Sequence, residues 1–482
     1  MQVSKTRLLF YALFLVLPLL TIYFTWVAVG PQWDMIARYL NGRTLLNYLE
    51  GHVSPQLAFA GELSSNLVYY FEPYREPIST PIFAFLNLFF KNPILPFMVL
   101  SFIAYFVVVY KLGRELKADT LLAFAVLINP YTVYFLFMPN GGEGLAVIFA
   151  SLGILYLLRK SPVSGLFFGL AFLSKYPAGV LFPLVLLLEE KEKIAKALAL
   201  ELLTFIGWGV VDWALYGTPF SSYFQSLSNA GTLASTYFVS PVAILEVVGY
   251  PVLLAAIAVA IIFIRKRSLN VKIDYRAKVL LGSSLLSFLG YIIIVPHNNA
   301  FTQARYGFLL SVSLLLCVLF LLSNLTEGKE GRRQRYFVCA LSVMFLVGGL
   351  YIAYSARSVT NNKYYNPNNS NGIFGHVEDE LQLIGFGNCS VVSNAWIPMI
   401  YAGYNSYSPF YVGLPTPDVN RSLAEEGSNY NLLVKEKEEY PIVVFDIPGV
   451  NPSFIPNLNG SRIAYSDKNV TIYLPRNATC YG

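Results

Sequence analysis

The chain has 482 residues, of which 55% are hydrophobic, 16% aromatic and only 13% charged. Soluble domains carry roughly 25% charged residues, so an ordinary water-soluble protein is excluded. The formal net charge of +6 gives no reason to expect nucleic acid, because the basic residues sit in loops between apolar runs.

The first apolar stretch, 8–30, is too long for a signal-peptide core and lacks a small-residue cleavage site, so it reads as a retained anchor. A long loop, 31–96, follows it, with amphipathic helices expected in its middle. Further apolar runs lie at 97–112, 119–138, 143–158, 195–214, 241–264, 278–296, 306–323 and 336–354. A bilayer core needs roughly 20 apolar residues per helix, so the shorter runs must borrow flanking residues. The stretch 162–189 is apolar but holds Ser174-Lys175-Tyr176-Pro177 at its middle.

Basic residues set the expected orientation. One side collects Lys5, Arg7, Lys111, Arg114, Arg159, Lys160, Lys191, Lys193, Arg265, Lys266, Arg276, Lys329, Arg332 and Arg335. This side reads as cytoplasmic. The pattern holds only if 162–189 enters and leaves on that side, as a helical hairpin with Lys175 near its turn. About eleven crossings result, with the C-terminus outside.

From about 355 the chain turns rich in Asn, Tyr, Gly and Pro and holds no spanning run. Strand-like pieces at Ser390–Ser393, Ile442–Phe445 and Val470–Leu474, with a helix expected over Glu378–Ile384, predict a small α/β domain. It carries glycosylation sequons at Asn368, Asn388, Asn420, Asn459, Asn469 and Asn477, on the side that the charges place outside. Cys317 and Cys339 fall in membrane segments. Cys389 and Cys480 fall in the tail, where a disulfide is permitted and two free thiols are the alternative.

Several residues carry chemistry. Asp34, beside Trp33, opens the first outer loop. It is either a solvated helix cap or a carboxylate able to take a proton from a hydroxyl. Arg305 opens a helix on the same side, where it either snorkels or grips phosphate oxygens in a bidentate fork. Lys175 is costly inside an apolar hairpin unless it faces a polar cavity. Arg75 is a further phosphate candidate. Glu143, after Asn140-Gly141-Gly142, is a helix-start carboxylate, an acceptor-positioning group or, with Asp34, half of a divalent-metal site. His297 and Tyr306 are candidate substrate contacts.

With these motifs in place the sequence resembles the GT-C superfamily of integral membrane glycosyltransferases. Trp33-Asp34 with Ala37-Arg38-Tyr39 is similar to the acidic start of that family's first outer loop, and Tyr74–Pro81 to its proline-rich end. Gly169–Pro177 resembles the Leu-Thr-Lys-X-Pro segment of lipid A aminoarabinose transferases. His297 with Arg305-Tyr306-Gly307-Phe308-Leu309 resembles a segment of the GPI-anchor and lipid-linked-oligosaccharide mannosyltransferases. The resemblance implies an all-α polytopic GT-C domain over 1–354 and an extracytoplasmic α/β domain over 355–482. It implies an inverting enzyme that moves a sugar, mannose by the last segment, from a dolichyl or polyprenyl phosphate to a hydroxyl on a glycan, glycolipid or protein. Asp34 would be the base, and Arg305, Lys175 and Arg75 would hold phosphate. Trp33, Glu143, His297 and Tyr306 would contact substrate, and a divalent metal would be optional. A transporter or flippase of lipid-linked glycans, or a non-catalytic subunit of a glycan assembly complex, are the alternatives. A transporter would favour internal repeats, and none is visible.

Overall fold

The computed structural model describes residues 5–31, 33–50, 63–64, 67–68, 77–137, 143–216, 219–220, 223, 240–265, 274–294, 304–326, 331–358, 365–367, 369, 371–387, 389–402, 404, 406–407, 440–447 and 460–478. The helices described are α1 (Lys5–Val29), α2 (Trp33–Leu49), α3 (Ser79–Asn87), α4 (Ile94–Glu115), α5 (Thr120–Leu127), α6 (Glu143–Leu158), α7 (Val163–Ser174), α8 (Lys191–Tyr216), α9 (Pro241–Arg265), α10 (Tyr275–Ile294), α11 (Phe308–Leu325), α12 (Gly331–Ser358), α13 (Ile373–Leu383) and α14 (Trp396–Ala402). Among the described residues, seven helices are long and apolar enough to cross a membrane: α1, α4 and α8 to α12. The distribution of side chains agrees. Leu203, Val210, Leu245, Val252, Leu281, Ile293, Phe337 and Met344 point outward, while Ser283, Ser287, Ser313 and Ser342 are buried. Inside, Ser287 meets Ser313 at 3.1 Å, and the Tyr250 hydroxyl donates to the Ala125 carbonyl at 2.8 Å. Apolar outside and hydrogen-bonded polar inside is the arrangement that lipid demands. The chain is a multi-pass integral membrane protein.

Two apolar stretches break, each for a local reason. The run at 119–138 is α5 followed by a π-helix at Thr132–Leu136. Between them lies Pro130, which has no N–H to continue the ladder. The buried Asn129 and Thr132 satisfy each other there: the Asn129 N–H donates to Thr132 Oγ1 at 3.0 Å, and the Thr132 N–H to Asn129 Oδ1 at 3.2 Å. The stretch 162–189 becomes α7, an extended Lys175 (φ −160°, ψ 109°) and a 3-10 helix at Tyr176–Leu187 that contains Pro177 and Pro183. At about 2.0 Å per residue its twelve residues reach about 24 Å, against about 18 Å for an α-helix of that length.

One end of the bundle is stitched by ion pairs. Asp119 caps α5 by accepting the Leu121 N–H at 3.0 Å, and it also receives Arg7 from α1 and Arg335 from α12, the latter at 2.9 Å. Arg159 pairs with Glu115 at 2.8 Å, and Lys160 pairs with Glu189. Glu143, Lys175, Arg305 and α2 therefore sit at the other end, because each lies one crossing away from these groups.

At that other end α2 is buried over 35–42 on every side. Helices α3 and α14 cover it; the amphipathic helices expected in the middle of this loop fall largely outside the described residues. Gly42 allows this approach: a Cβ there would come within 2.4 Å of Phe83 Cβ on α3. Gly30, after α1, has φ +71°, and the Asn366 side chain fills the place of its missing Cβ. Asn366 Nδ2 donates to the Val27 carbonyl at 3.1 Å, tying the C-terminal domain to the end of α1.

A two-stranded ribbon, β1 (Leu63–Ser64) and β2 (Leu67–Val68), lies in the first loop. The C-terminal domain holds a five-stranded mixed sheet of β3 (Val391–Ser393), β4 (Ser406–Tyr407), β5 (Ile442–Phe445), β6 (Arg462–Ser466) and β7 (Val470–Leu474). The order is β4-β3-β5-β7-β6, with β3 parallel to β4 and β5, and β7 antiparallel to β5 and β6. Helix α13 lays Ile373, Phe374, Val377 and Leu381 on the sheet residues Val391, Val443 and Ile472. Cys389 is disulfide-bonded, whereas Cys317 and Cys339 are free. Cys480, the expected partner of Cys389, lies outside the described residues.

The β6–β7 turn depends on Asp467. Its Oδ1 accepts the N–H groups of Asn469 at 2.6 Å and Val470 at 2.8 Å, and the Tyr465 hydroxyl donates to Oδ2 at 3.2 Å. Partial burial pushes the Asp467 carboxyl up, but these hydrogen bonds and the nearby His376 outweigh it and hold the group below its usual range. A carboxyl depressed in the fold stabilises it fully above the unfolded value of about 3.9, and that stability is lost as pH falls through the folded value. Hydrogen-exchange protection of residues 462–474, corrected for intrinsic rates, should therefore fall on acidification below about pH 4. Asp467→Asn should lower protection at neutral pH and flatten this acid limb; an unchanged limb would show that Asp467 does not set it.

Candidate functional site

Glu143 is the first residue of α6, where the helix dipole favours a carboxylate, and it is only 1% exposed. An unpaired ionised carboxylate at such depth is very costly. Here its Oε1 accepts from Arg305 Nη2 at 2.7 Å and Nε at 3.1 Å, and Lys175 Nζ lies 3.4 Å from the same oxygen. Three separate segments deliver these groups. Arg305 stands in a short turn before α11 that is pinned by the Tyr131 hydroxyl, which donates to the Ala304 carbonyl at 2.8 Å. Lys175 arrives where α7 breaks, and its ammonium also sits 5.4 Å from the Tyr306 ring centroid, within cation–π range.

Arg38, on α2, is wholly buried and lies within electrostatic reach of Glu143. Its Nη1 donates to Ser79 Oγ, at the start of α3, at 3.1 Å. Among the described residues, three cations thus converge on one carboxylate at one end of an apolar bundle. The Arg305 side chain keeps 12% exposure and Lys175 6%. The edge of the cluster is therefore open at Arg305. Fixed cations at a low-dielectric border attract phosphate far more strongly than the same groups in water.

Of the candidates from sequence, Glu143, Lys175, Arg305 and Tyr306 come together. Trp33 and Asp34 form the first two residues of α2, five and four residues ahead of Arg38, but their side chains lie outside the described residues, as do Arg75 and His297. Arg38 and Ser79 join the cluster too; both fall in motifs quoted above, but neither was given a role there. The available signal was a charged residue inside the wholly apolar surroundings of Met35–Leu40. Among the described residues no group of three or more His, Cys, Asp or Glu is placed to hold a metal. Two cations already face Glu143 Oε1, which works against a divalent ion at that atom.

No protein-family model matches the chain, and no curated protein matches its sequence. Among solved structures, the crystal structure of ArnT from Cupriavidus metallidurans bound to undecaprenyl phosphate matches with a TM-score of 0.57 at 12% identity, covering 98% of each chain. The chain therefore has an ArnT-like fold.

Glu143→Gln keeps the side-chain shape but leaves Lys175 and Arg305 facing a neutral amide. Breaking a buried pair by removing one partner costs about 3–5 kcal/mol, so the variant should unfold at clearly lower temperature in detergent. The same change in an Arg305→Gln background should cost less. A double-mutant cycle that gives additive effects would mean the pair does not interact.

Proposed function

We propose that this protein is an inverting glycosyltransferase that moves a sugar from a polyprenyl or dolichyl phosphate to a hydroxyl acceptor at the extracytoplasmic membrane border. The observation that carries this reading is the Arg305–Lys175–Arg38 cluster around Glu143, at the bundle end where α2 begins. The ArnT-like fold supports it, because the matching ArnT structure holds undecaprenyl phosphate. The opposite end carries the basic residues and their ion pairs, which favours a cytoplasmic position for that end and an outer position for the cluster and the C-terminal domain.

In this mechanism Asp34 takes the proton of the acceptor hydroxyl. The hydroxyl oxygen forms a bond to the anomeric carbon while the bond from that carbon to the phosphate oxygen breaks. The lipid phosphate leaves with the electron pair, and its growing charge is met by Arg305 and Lys175. A single displacement inverts the anomeric carbon. Glu143 acts as the anchor that holds both cations in one place, so that they need not reorganise when phosphate arrives. Mannose is the first sugar to test, from the resemblance around His297 and Arg305.

The experiment uses purified protein with radiolabelled polyprenyl phosphate sugars and a membrane lipid extract. Transfer to an extract component should be seen with one donor. Asp34→Asn should bind that donor but lose at least about 10²-fold in turnover, the lower end for general base catalysis. Arg305→Ala and Lys175→Ala should weaken donor binding about tenfold or more, as a charge-assisted contact is worth about 1.5–3 kcal/mol. Near-normal turnover of Asp34→Asn would remove it from the mechanism, and unaltered donor binding in both cation variants would make the cluster purely structural.

A further inference from the structure

A cleft of about 730 Å³ opens between the C-terminal domain and the membrane part, on a flank of α2 about a quarter to a third of a turn round from Arg38. Its floor on α2 is Tyr39, Arg43 and Leu46, an i, i+4, i+7 stripe of one helix face. Asn87, at the end of α3, and Lys91 and Asn92 after it form one wall, and Glu378 on α13 with Tyr401 and Tyr404 around α14 form the other. The aromatic rings are held in place. Tyr401 packs edge-on against Tyr39, with centroids 5.9 Å apart, and accepts a hydrogen bond from Asn92 Nδ2. The Tyr404 hydroxyl donates to the Phe374 carbonyl at 3.0 Å. Arg43, Lys91 and Glu378 are solvent-exposed.

We infer that this cleft is a saccharide-binding site, and that it holds the inner units of the acceptor glycan while the terminal hydroxyl reacts elsewhere. This rests on the transferase reading for the word acceptor, but the saccharide chemistry stands on the cleft itself. Sugar rings present apolar C–H faces to fixed aromatic rings and hydroxyls to polar groups around them. The cleft supplies both: three tyrosine rings that need no ordering on binding, and amide, guanidinium and carboxylate groups suited to hydroxyl pairs. Its volume falls in the range that encloses a drug-sized ligand, which in sugar terms is a short oligosaccharide rather than a single ring.

Placement along α2 gives the cleft its role. At about 1.5 Å per residue, Tyr39 lies about 8 Å and Leu46 about 18 Å along the helix axis from Asp34. Around the helix, Asp34 stands about 140° from Tyr39 and about 180° from Arg43, so a glycan with its inner units in the cleft reaches Asp34 only by passing round the start of α2. The donor phosphate cannot use the same space, because the buried Arg38 face of α2 separates the cleft from the Glu143 cluster.

The test presents α-mannotriose, maltotriose and chitotriose at millimolar concentration to the full-length protein in nanodiscs, with binding read by saturation-transfer NMR. At least one should bind. Arg43→Gln and Glu378→Gln, both exposed positions with little part in folding, should each weaken that binding about fivefold, the loss expected for one net hydrogen bond. No binding by any of the three, or binding that both cleft variants leave unchanged, would overturn the site. Binding that the variants weaken, in a protein that transfers no sugar, would keep the saccharide site and remove the transferase reading. Where transfer is measurable, the cleft variants should raise the acceptor KM and leave the donor KM unchanged.

Discussion

A single buried carboxylate organises one end of this bundle. Glu143 cannot sit ionised at the head of an apolar helix unless cations come to it. Arg305 and Lys175 come from segments far away in sequence and meet at one oxygen. Each of them would be equally costly alone in that setting. The three groups therefore require one another, and requiring one another fixes how α6, the α7 break and the start of α11 sit together. The same contact that makes the bundle end stable also collects positive charge at a membrane border.

The other end of the bundle solves the same problem with Asp119. There the carboxylate caps α5 and binds Arg7 and Arg335, so the first and last spanning helices are tied to a third. That cluster lies among many other basic residues and ion pairs. The two ends thus differ in kind. One is a basic rim stitched by partly exposed pairs, and the other is a small buried group of cations with an open edge at Arg305.

Helix α2 links that group to the C-terminal domain. One flank delivers Arg38 towards Glu143, and another gives Tyr39 and Arg43 to the cleft beneath α13 and α14. Such double use accounts for the burial of every residue of α2 from 35 to 42. It also brings Glu378, Tyr401 and Tyr404 of the C-terminal domain to the same helix, across the cleft. The clasp of Asn366 on the end of α1, with Gly30 making room, keeps that domain seated on the helix start.

Much of this architecture was legible in the sequence because its causes are local or one-dimensional. Apolar runs of spanning length, the sorting of Lys and Arg into alternate loops, and the composition shift near 355 each need only the order of residues. The strands at 391–393, 442–445 and 470–474 could be read from β-branched runs, and the interruption at Lys175 from a charge and a proline in an apolar stretch. Glu143, Lys175, Arg305 and Tyr306 could be singled out one by one, since polar groups in apolar surroundings carry a cost that sequence displays. That they share one oxygen could not be read, because pairing across 162 positions depends on how the helices pack. The burial of α2, the entry of Arg38 and Ser79 into the cluster, the short strand β4 and the cleft were likewise decided by tertiary structure. Each arises where two distant segments close on one another, and no periodicity within either segment encodes its partner.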